Sequence, residues 1–599
     1  MKLMRDVYSS ADHVFAWLGI HKKKDARKSL SRGLRVINAV YEVIKDLSYE
    51  EFSSLSWAPR CPFLTRGSLP FDISRDDSDA IIARGAGARV QKNWIAVDEL
   101  LRLSYWRRVW IVQETAFARS LVLFCKTGIL QAHKLELFGD YFGRLQKHAM
   151  EFVLVQPPFI TFDCWWYMTA AGAIDYSPLN RLRTVREHAK RLQAADDTQH
   201  EGFDSGWIVS TMTHDLVATD DRDYIYGLLG LSEIDIVPDY DPKVCLIGVC
   251  CQYVVSWLEA YRNKPAASTS RLPELFFLSL SGDGFFLPHG AWTPSWAPNF
   301  PSVGQCMISS ELQTASPSTG LPHNDFSPEK PYIVDTRLFA YGVTISTVER
   351  CRDPYRNLAA GKDAALPLMY YFQDYVNRNA IYNATGIPAL QALFRVMRRD
   401  ATNRMDRITL LRALGLLSRF CRATIDSVPV DERFNFVTTR QQDHDIVCRD
   451  VLGPLLGYDG TDAPDSTLIK CFEESFFPGC DLTQTGIETG PSMLSGLLGT
   501  EKNDAIIQAD WNLQSSALEG HLLHACQFME TENGLLGLVP KYTDPGDVVC
   551  VISGSSLPVV LRPAGGGYKH IGTCWVLGLM NGETAATVKE GDIERFEIR

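Results

Sequence analysis

The sequence predicts an α+β protein made of several units. Helix-like and strand-like patterns alternate near the N-terminus, a helical pattern fills the middle, and short β-rich runs separated by turn residues end the chain. With 599 residues, 46% of them hydrophobic and 22% charged, the chain can build more than one hydrophobic core. The patterns divide it into residues 1–260, 261–350, 351–520 and 521–599.

The first segment has the pattern of an α/β layer. A helix is predicted over residues 4–10, a buried strand over 14–18, an amphipathic helix over 29–47 and a second buried strand over 121–125. A strand followed by helices and then by another strand is typical of a sheet that helices cover. We therefore expect part of an α/β layer here.

The other segments differ in pattern. Residues 261–350 are predicted to be a loop-rich segment with short strands, in which the indoles of Trp292 and Trp296 are expected to hold the loop in place. Residues 351–520 are predicted to be mainly helical. In residues 521–599, β-rich runs between turn residues predict a small antiparallel barrel or sandwich. These runs are residues 534–540, 546–552, 558–562 and 568–572.

Charge, hydropathy and cysteine spacing limit the classes of function. A net charge of −11 argues against a broad nucleic-acid surface, because phosphate binding depends on clustered Lys and Arg. The longest apolar run, residues 244–258, is too short to span a membrane and predicts a buried helix. The N-terminus lacks the apolar stretch of a signal peptide. The fifteen scattered cysteines form no Cys-x-x-Cys pair, which indicates reduced thiols in a cytoplasmic protein rather than a metal site.

The most informative segment is residues 104–114, where Trp106, Trp110 and Glu114 recur at every fourth position. On a helix these side chains share one face, because residues four and eight positions apart differ by only a small rotation about the axis. The indoles would bury that face and leave Glu114 at its poorly hydrated margin, where burial raises the pKa of a carboxyl group. Glu114 is thus a candidate catalytic residue, and Trp106 and Trp110 are candidate substrate-binding residues.

A second motif, residues 219–231, combines aspartates with glycines and apolar side chains. Thr219 or Asp220 is expected to cap a helix whose first turn is acidic. Capping and the helix dipole explain the aspartates around Arg222 without a bound cation. We therefore predict no metal site in this motif.

Five blocks of the sequence, taken in order, resemble the fungal heterokaryon-incompatibility (HET) domain family. They are residues 4–19, 104–114 and 221–231, the Pro294-Ser295-Trp296 element, and the glycine- and proline-spaced tail that ends near residues 580–583. Members of the family usually carry two further blocks upstream of the one seen here at residues 4–19. We therefore expect an N-terminally incomplete HET domain whose sheet exposes an edge or a face.

The resemblance implies a HET core similar in fold to the Toll/interleukin-receptor (TIR) class. In TIR enzymes a Glu that follows a Trp supports cleavage of the nicotinamide–ribose bond of NAD. A carboxylate suits this reaction because it stabilises the positive charge that develops on the ribose. The segment with Glu114 is similar to the TIR segment, and Trp106 and Trp110 could stack on a ring of NAD. NAD is then a candidate substrate, and no cofactor is required.

Two classes of function follow from the resemblance. The first is a non-self recognition and programmed cell death protein of a filamentous fungus, which acts in the cytoplasm through a protein partner. The second is a TIR-like glycohydrolase that cleaves NAD with Glu114; an inactive, truncated family member is a further alternative. In a purely structural role, Glu114 would pair with Arg107, Arg108 or Arg119 beside the packed indoles. The sequence leaves open whether the chain is an enzyme.

Overall fold

A computed structural model of the protein describes residues 2–19, 24–65, 90–126, 128–151, 157, 160, 162–169, 173–194, 216–232, 234–263, 273–285, 294–305, 330–353, 365–400, 407–427, 439–458, 460, 465–479, 497, 525–586 and 588–599. The chain forms two compact units, Met1–Arg271 and Leu272–Arg599, called unit 1 and unit 2. Helices and β-strands occur in both units, which confirms the predicted α+β class.

Unit 1 contains a three-stranded sheet. Strand β1 (Val14–Trp17) pairs in parallel with β2 (Leu121–Cys125), which pairs antiparallel with β3 (Gly128–Gln131). The register places Val14 opposite Leu121. A parallel pair needs a long crossover connection, and most of the chain between β1 and β2 is helical where it is described.

The rest of unit 1 is mainly helical where it is described. In the described part of unit 1 the helices are α1 (Lys2–Ser10), α2 (Lys24–Ile44), α3 (Tyr49–Ser53), α4 (Pro62–Thr65), α5 (90–101), α6 (Ile111–Phe117), α7 (Ala132–Glu151), α8 (Phe162–Thr169), α9 (Ser177–Ala194), α10 (Asp223–Tyr226) and α11 (Leu246–Asn263). The sequence sets the start of α3 through a capping box, in which the side chains of Ser48 and Glu51 each accept a bond from the other's backbone N–H.

The core of unit 1 lies on one side of the sheet. Helices α2 and α7 pack there, and the apolar face of α2 is buried at Leu34, Ile37 and Val40. The strands alternate, so that Ala16 of β1 faces this core. Tyr141 and Phe142 of α7 also pack against the rings of Phe52, Trp57 and Trp94.

The other side of the sheet is open. Phe15 is 65% exposed, Trp17 41% and Ile129 67%. Within the described residues β1 pairs with β2 alone, so β1 is an edge strand. Among the described residues, this sheet therefore has an exposed edge at β1 and one exposed face.

Unit 2 contains a closed β-sheet. Its strands are β4 (Tyr332–Val334), β5 (Arg337–Arg352), β8 (Cys526–Thr531), β9 (Leu536–Pro540), β10 (Val548–Ile552), β11 (Val559–Ala564), β12 (Gly567–Thr573), β13 (Trp575–Val576) and β14 (Glu594–Ile598). The order is β10-β11-β12-β14-β5-β8-β9-β13, and β10 also pairs with β5, which closes five strands into a barrel. All four β-rich runs predicted in the tail are strands. The strand β5 belongs to the same sheet and is 16 residues long, although the sequence predicted only short strands in the loop-rich segment that contains most of it.

The rest of unit 2 is mainly helical. It comprises α12 (Ala365–Arg378), a hairpin of β6 (Ile381–Tyr382) and β7 (Ile387–Pro388), α13 (Ala389–Arg398), α14 (Arg407–Ser427), α15 (Thr439–Val447), a π-helical turn (Cys448–Leu452), α16 (Gly453–Leu456) and α17 (Asp465–Phe476). Trp296 is buried, and its indole donates to the Thr336 carbonyl at 3.0 Å, as expected of a residue that pins a loop. Trp292 lies outside the described residues. Across the described ranges, no helix has the length and hydropathy that crossing a bilayer requires.

Candidate functional site

The segment that carries Trp106, Trp110 and Glu114 is not one continuous helix. A short 3-10 helix covers Ser104–Arg107, Arg108 is extended, and α6 begins at Ile111. The prediction of one shared helical face is therefore wrong. The reason is tertiary: the backbone of Val217 bonds to the Arg107 carbonyl and the Val109 amide, and this bridge interrupts the helix.

Trp106 is packed inside unit 1. Its side chain is 2% exposed, and its indole donates to the Leu100 carbonyl at 2.8 Å. With Ile111 and Arg181 it lines a cavity of about 10 Å³, which has room for about one water. Glu114 does not line this cavity. The proposed role of Trp106 in substrate binding stays a prediction.

Trp110 contacts a carboxylate that is distant in sequence. Its indole nitrogen donates to Asp223 Oδ2 at 2.9 Å, and the Tyr240 hydroxyl donates to Asp223 Oδ1 at 2.6 Å. Asp223 is buried in α10. Burial and the neighbouring Asp223 charge raise the pKa of Tyr240. The sequence analysis found both motifs but not the hydrogen bonds that join them.

Further contacts hold the two motifs together. Gln113 donates to the Gly227 carbonyl at 2.7 Å. A Cβ atom at Gly227 would come within 2.6 Å of Val109 Cγ1, so glycine permits the close approach.

The aspartates of the second motif have structural partners. Asp220 forms an ion pair with Arg222 at 2.7 Å, and its side chain also accepts the Arg222 backbone N–H at 3.0 Å. A capping bond expected at Asp220 is thus present at the turn that leads into α10, although Arg222 is the residue directly before the helix. Arg222 also donates to the Asp241 and Val244 carbonyls. The guanidinium thus ties the motif to the chain that leads into α11.

Glu114 lies in the first turn of α6 and is partly buried. Burial raises the pKa of this carboxyl group, while the charge of Arg108 and a hydrogen-bonding interaction with the Tyr8 hydroxyl partly offset the rise. Within the part of the chain that the structure describes, Glu114 forms no ion pair with an Arg side chain. The pair between Glu114 and an arginine, expected if Glu114 had a purely structural role, is therefore not formed among these residues.

Two tyrosines accompany Glu114. Tyr8 comes from α1, which packs on α6, and the pKa of its hydroxyl is raised by burial and by Glu114. The Tyr105 ring packs edge-on against Trp106 with centroids 5.1 Å apart. Its hydroxyl is buried without a hydrogen-bond partner among the described residues, and burial together with the Glu114 charge raises its pKa. The sequence analysis missed both tyrosines, since nothing in their spacing links them to Glu114.

Comparisons with known proteins match both ends of the chain. Residues 1–114 match the family model described as Heterokaryon incompatibility protein (HET), and residues 513–594 match the Het-6 beta-barrel domain. The Heterokaryon incompatibility protein 6, OR allele, of Neurospora crassa is 22% identical over 630 residues, which cover 99% of this chain and 79% of that relative. No solved structure shows significant similarity.

The matched regions agree with the structure. The HET match extends from α1 to Glu114, and the barrel match contains β8 to β13. The similarity to the Neurospora protein connects these two regions along nearly the whole chain. The chain therefore carries a region that matches the HET family model in unit 1 and a region that matches the Het-6 beta-barrel domain in unit 2, and it is similar along nearly its whole length to a fungal heterokaryon incompatibility protein.

Proposed function

We propose that the chain acts in non-self recognition and programmed cell death of a filamentous fungus, through contact with a protein partner in the cytoplasm. Its similarity to a heterokaryon incompatibility protein supports a role in this process. Buried thiols such as Cys61 and Cys550 suit a reducing compartment.

The open side of the sheet in unit 1 is the observation that best supports contact with a protein partner. Phe15, Trp17, Phe124 and Ile129 form this open sheet face. Trp17 and Phe124 contact each other with ring centroids 4.8 Å apart, and Phe15 meets Phe124 edge-on. Contiguous exposed rings mark a protein-interaction surface more often than scattered apolar side chains do.

The edge of β1 adds hydrogen-bonding groups to this face. The amides of Val14 and Leu18 bond towards β2, and alternation along a strand turns the amides and carbonyls of Phe15 and Trp17 outwards. An extended segment of a partner could pair with these groups while its side chains cover the rings. The partner segment that fits this face and edge is therefore an apolar β-strand.

Expression of a surface variant in a filamentous fungus tests the proposal. Phe15→Ser combined with Trp17→Ser should abolish cell death, because it removes the rings without changing the buried side of β1. Val237→Ser is the control, since Val237 is an apolar side chain that is 80% exposed and does not belong to a strand of the sheet. Unchanged killing by the folded double variant would refute the role of the open sheet face.

A second candidate function, NAD cleavage, is supported by a different observation. Glu114 is partly buried beside tyrosines and, among the described side chains, is not held in an ion pair. A carboxylate in such a site can stabilise the positive ribose that forms when nicotinamide leaves. NAD would be a substrate, and no cofactor is needed for this step.

Nicotinamide release from NAD by the purified chain tests this second function. Glu114→Gln should abolish the release, because the amide cannot supply the negative charge. Glu99→Gln is the control, since Glu99 is exposed on α5. If release by the two variants is equal, Glu114 is not the catalytic group; if the wild-type chain releases none, the enzymatic function itself is wrong.

A further inference from the structure

A thiol and an imidazole meet where α15 passes into the π-helical turn of unit 2. His444 lies in the last turn of α15, and Cys448 is the first residue of the π-helical turn. The Cys448 Sγ lies 4.0 Å from both ring nitrogens of His444, a distance at which a thiol can donate a hydrogen bond to an imidazole. Residues four positions apart share one side of a helix, so the backbone of this element places the two side chains together.

The surroundings of the imidazole suit it to accept the thiol proton. Because the two ring nitrogens are equally near the sulfur, either neutral tautomer of His444 presents an unprotonated nitrogen to the thiol. The Asp445 carboxylate lies 3.3 Å from His444 Nδ1 and orients the ring. A thiol reacts as a thiolate, so a neighbouring proton acceptor makes Cys448 a nucleophile.

The sulfur itself is enclosed. Cys448 is 3% exposed, and a Cβ atom placed on Gly460 would lie 2.7 Å from the Cys448 Sγ, so the chain at Gly460 covers the sulfur closely. The φ angle of 72° at Gly460 is one that glycine adopts without strain. The His444 side chain is 25% exposed and connects the thiol to solvent. These contacts favour a reagent of very few atoms.

We propose that Cys448 is an oxidisable thiol that reacts with hydrogen peroxide, with His444 as the proton acceptor. The thiol proton passes to the imidazole, and the sulfur attacks one peroxide oxygen, so that an S–O bond forms while the O–O bond breaks. The departing hydroxide takes the proton from His444 and leaves as water. The sulfur is oxidised by two electrons to a sulfenic acid, and the peroxide is reduced.

The oxidation has a structural consequence at Gly460. The new oxygen needs space beside the sulfur, where the chain at Gly460 leaves no room even for one more carbon atom. The sulfenic acid should therefore displace the chain at Gly460 from Cys448. This inference goes beyond the proposed function, because it involves neither the open sheet face nor Glu114.

Cys351 offers a contrast within unit 2. It is more exposed than Cys448, but burial, with a smaller effect of the Asp547 and Asp544 charges, raises the pKa of its thiol to about 12. Such a thiol carries almost no thiolate at neutral pH. Exposure alone predicts that Cys351 reacts before Cys448, whereas the imidazole beside Cys448 predicts the reverse order.

The rate of sulfenic acid formation tests the proposal. The full chain is treated with hydrogen peroxide, catalase stops the reaction, and the chain is then unfolded with dimedone, which captures sulfenic acids for mass spectrometry. Cys448 should be oxidised faster than Cys351. His444→Gln should slow Cys448 about a hundredfold, the lower end of what a positioned acid–base group contributes. His133→Gln, at an exposed position of α7, is the control and should leave the rate unchanged.

The Cys351 rate is the internal reference in every variant, because partial unfolding would speed the oxidation of both cysteines. If His444→Gln leaves the ratio of the Cys448 rate to the Cys351 rate unchanged, His444 is not the proton acceptor. If Cys351 is oxidised before Cys448 in the wild-type chain, Cys448 is not a reactive thiol and the proposal is overturned.

Hydrogen exchange tests the displacement. Peroxide should speed amide exchange in the peptide that contains Gly460, whereas Cys448→Ser chain treated in the same way should show no such change. If Cys448 is oxidised while exchange at Gly460 matches that of the treated Cys448→Ser chain, the displacement of the chain at Gly460 is wrong.

Discussion

The carboxylate of Asp223 accepts a hydrogen bond from the indole nitrogen of Trp110 at 2.9 Å, although the two residues are 113 positions apart in the sequence. The same carboxylate accepts the hydroxyl of Tyr240 at 2.6 Å. A buried charge that receives two short donors is stabilised by both, and each donor is left unsatisfied if the carboxylate is removed. Asp223 therefore fixes the segment before α6, on which the position of Glu114 depends.

Removing Asp223 should destabilise unit 1. We expect Asp223→Ala to lower the free energy of unfolding by about 3 kcal/mol, since two hydrogen bonds to a charged group are lost. Chemical denaturation followed by tryptophan fluorescence measures the change. Asp221→Ala, at an exposed neighbouring position, should stay within about 0.5 kcal/mol of the wild type. Equal stability of the two variants would contradict the role of Asp223.

Glu114→Gln should not weaken the fold. The pKa of Glu114 is raised above its ordinary value of 4.5, so the folded chain favours the protonated form. Its contribution to stability is full below pH 4.5 and is lost as the pH rises through the raised pKa. The glutamine variant should therefore gain stability relative to the wild type as the pH rises above 4.5. Unfolding curves at several pH values, with Glu99→Gln as control, measure this; a loss of stability would show an anchoring role instead.

The buried hydroxyl of Tyr105 should contribute nothing to stability. Because it has no partner among the described residues, Tyr105→Phe removes only an unsatisfied polar group, and stability should stay equal or increase. In Tyr141→Phe the same chemical change removes the bond to the Leu47 carbonyl and should cost about 1 kcal/mol. Paired denaturation curves compare the two variants. A larger loss in Tyr105→Phe would reveal a partner for its hydroxyl.

Acid should destabilise unit 2 through His570. Burial lowers the pKa of this histidine to about 4 from its ordinary value of 6.5, and its Nε2 lies 2.9 Å from the Leu278 carbonyl. The folded chain thus favours the neutral ring, so the contribution of His570 is full above pH 6.5 and is lost as the pH falls towards 4. His570→Gln should flatten this part of the Tm-against-pH curve. If the Tm of the variant still falls as strongly between pH 6.5 and 4, groups other than His570 cause the loss of stability.

Local patterns were enough to predict many elements. Short apolar runs predicted β1 and β2, and the spacing of apolar residues over 29–47 predicted α2. Turn residues between short β-rich runs predicted four strands of the barrel. These predictions succeed because the periodicity of a strand or helix and the turns that end it are properties of neighbouring residues.

The site depended on contacts between distant residues. The pattern Trp106, Trp110, Glu114 predicted a single helix, but pairing with Val217 breaks that helix and sends the two indoles to different partners. Helix α1, which carries Tyr8, is brought to α6, which carries Glu114, only by tertiary packing.

The sequence by itself determined the class of fold, the resemblance to the HET family and the candidate carboxyl group. Tertiary structure alone decided what surrounds that group and which side of the sheet stays open. The physical reason is that hydrogen bonding and burial depend on which segments meet in space. A stretch such as residues 104–114 can satisfy its backbone groups within a helix or with a distant strand, and the better-packed arrangement prevails.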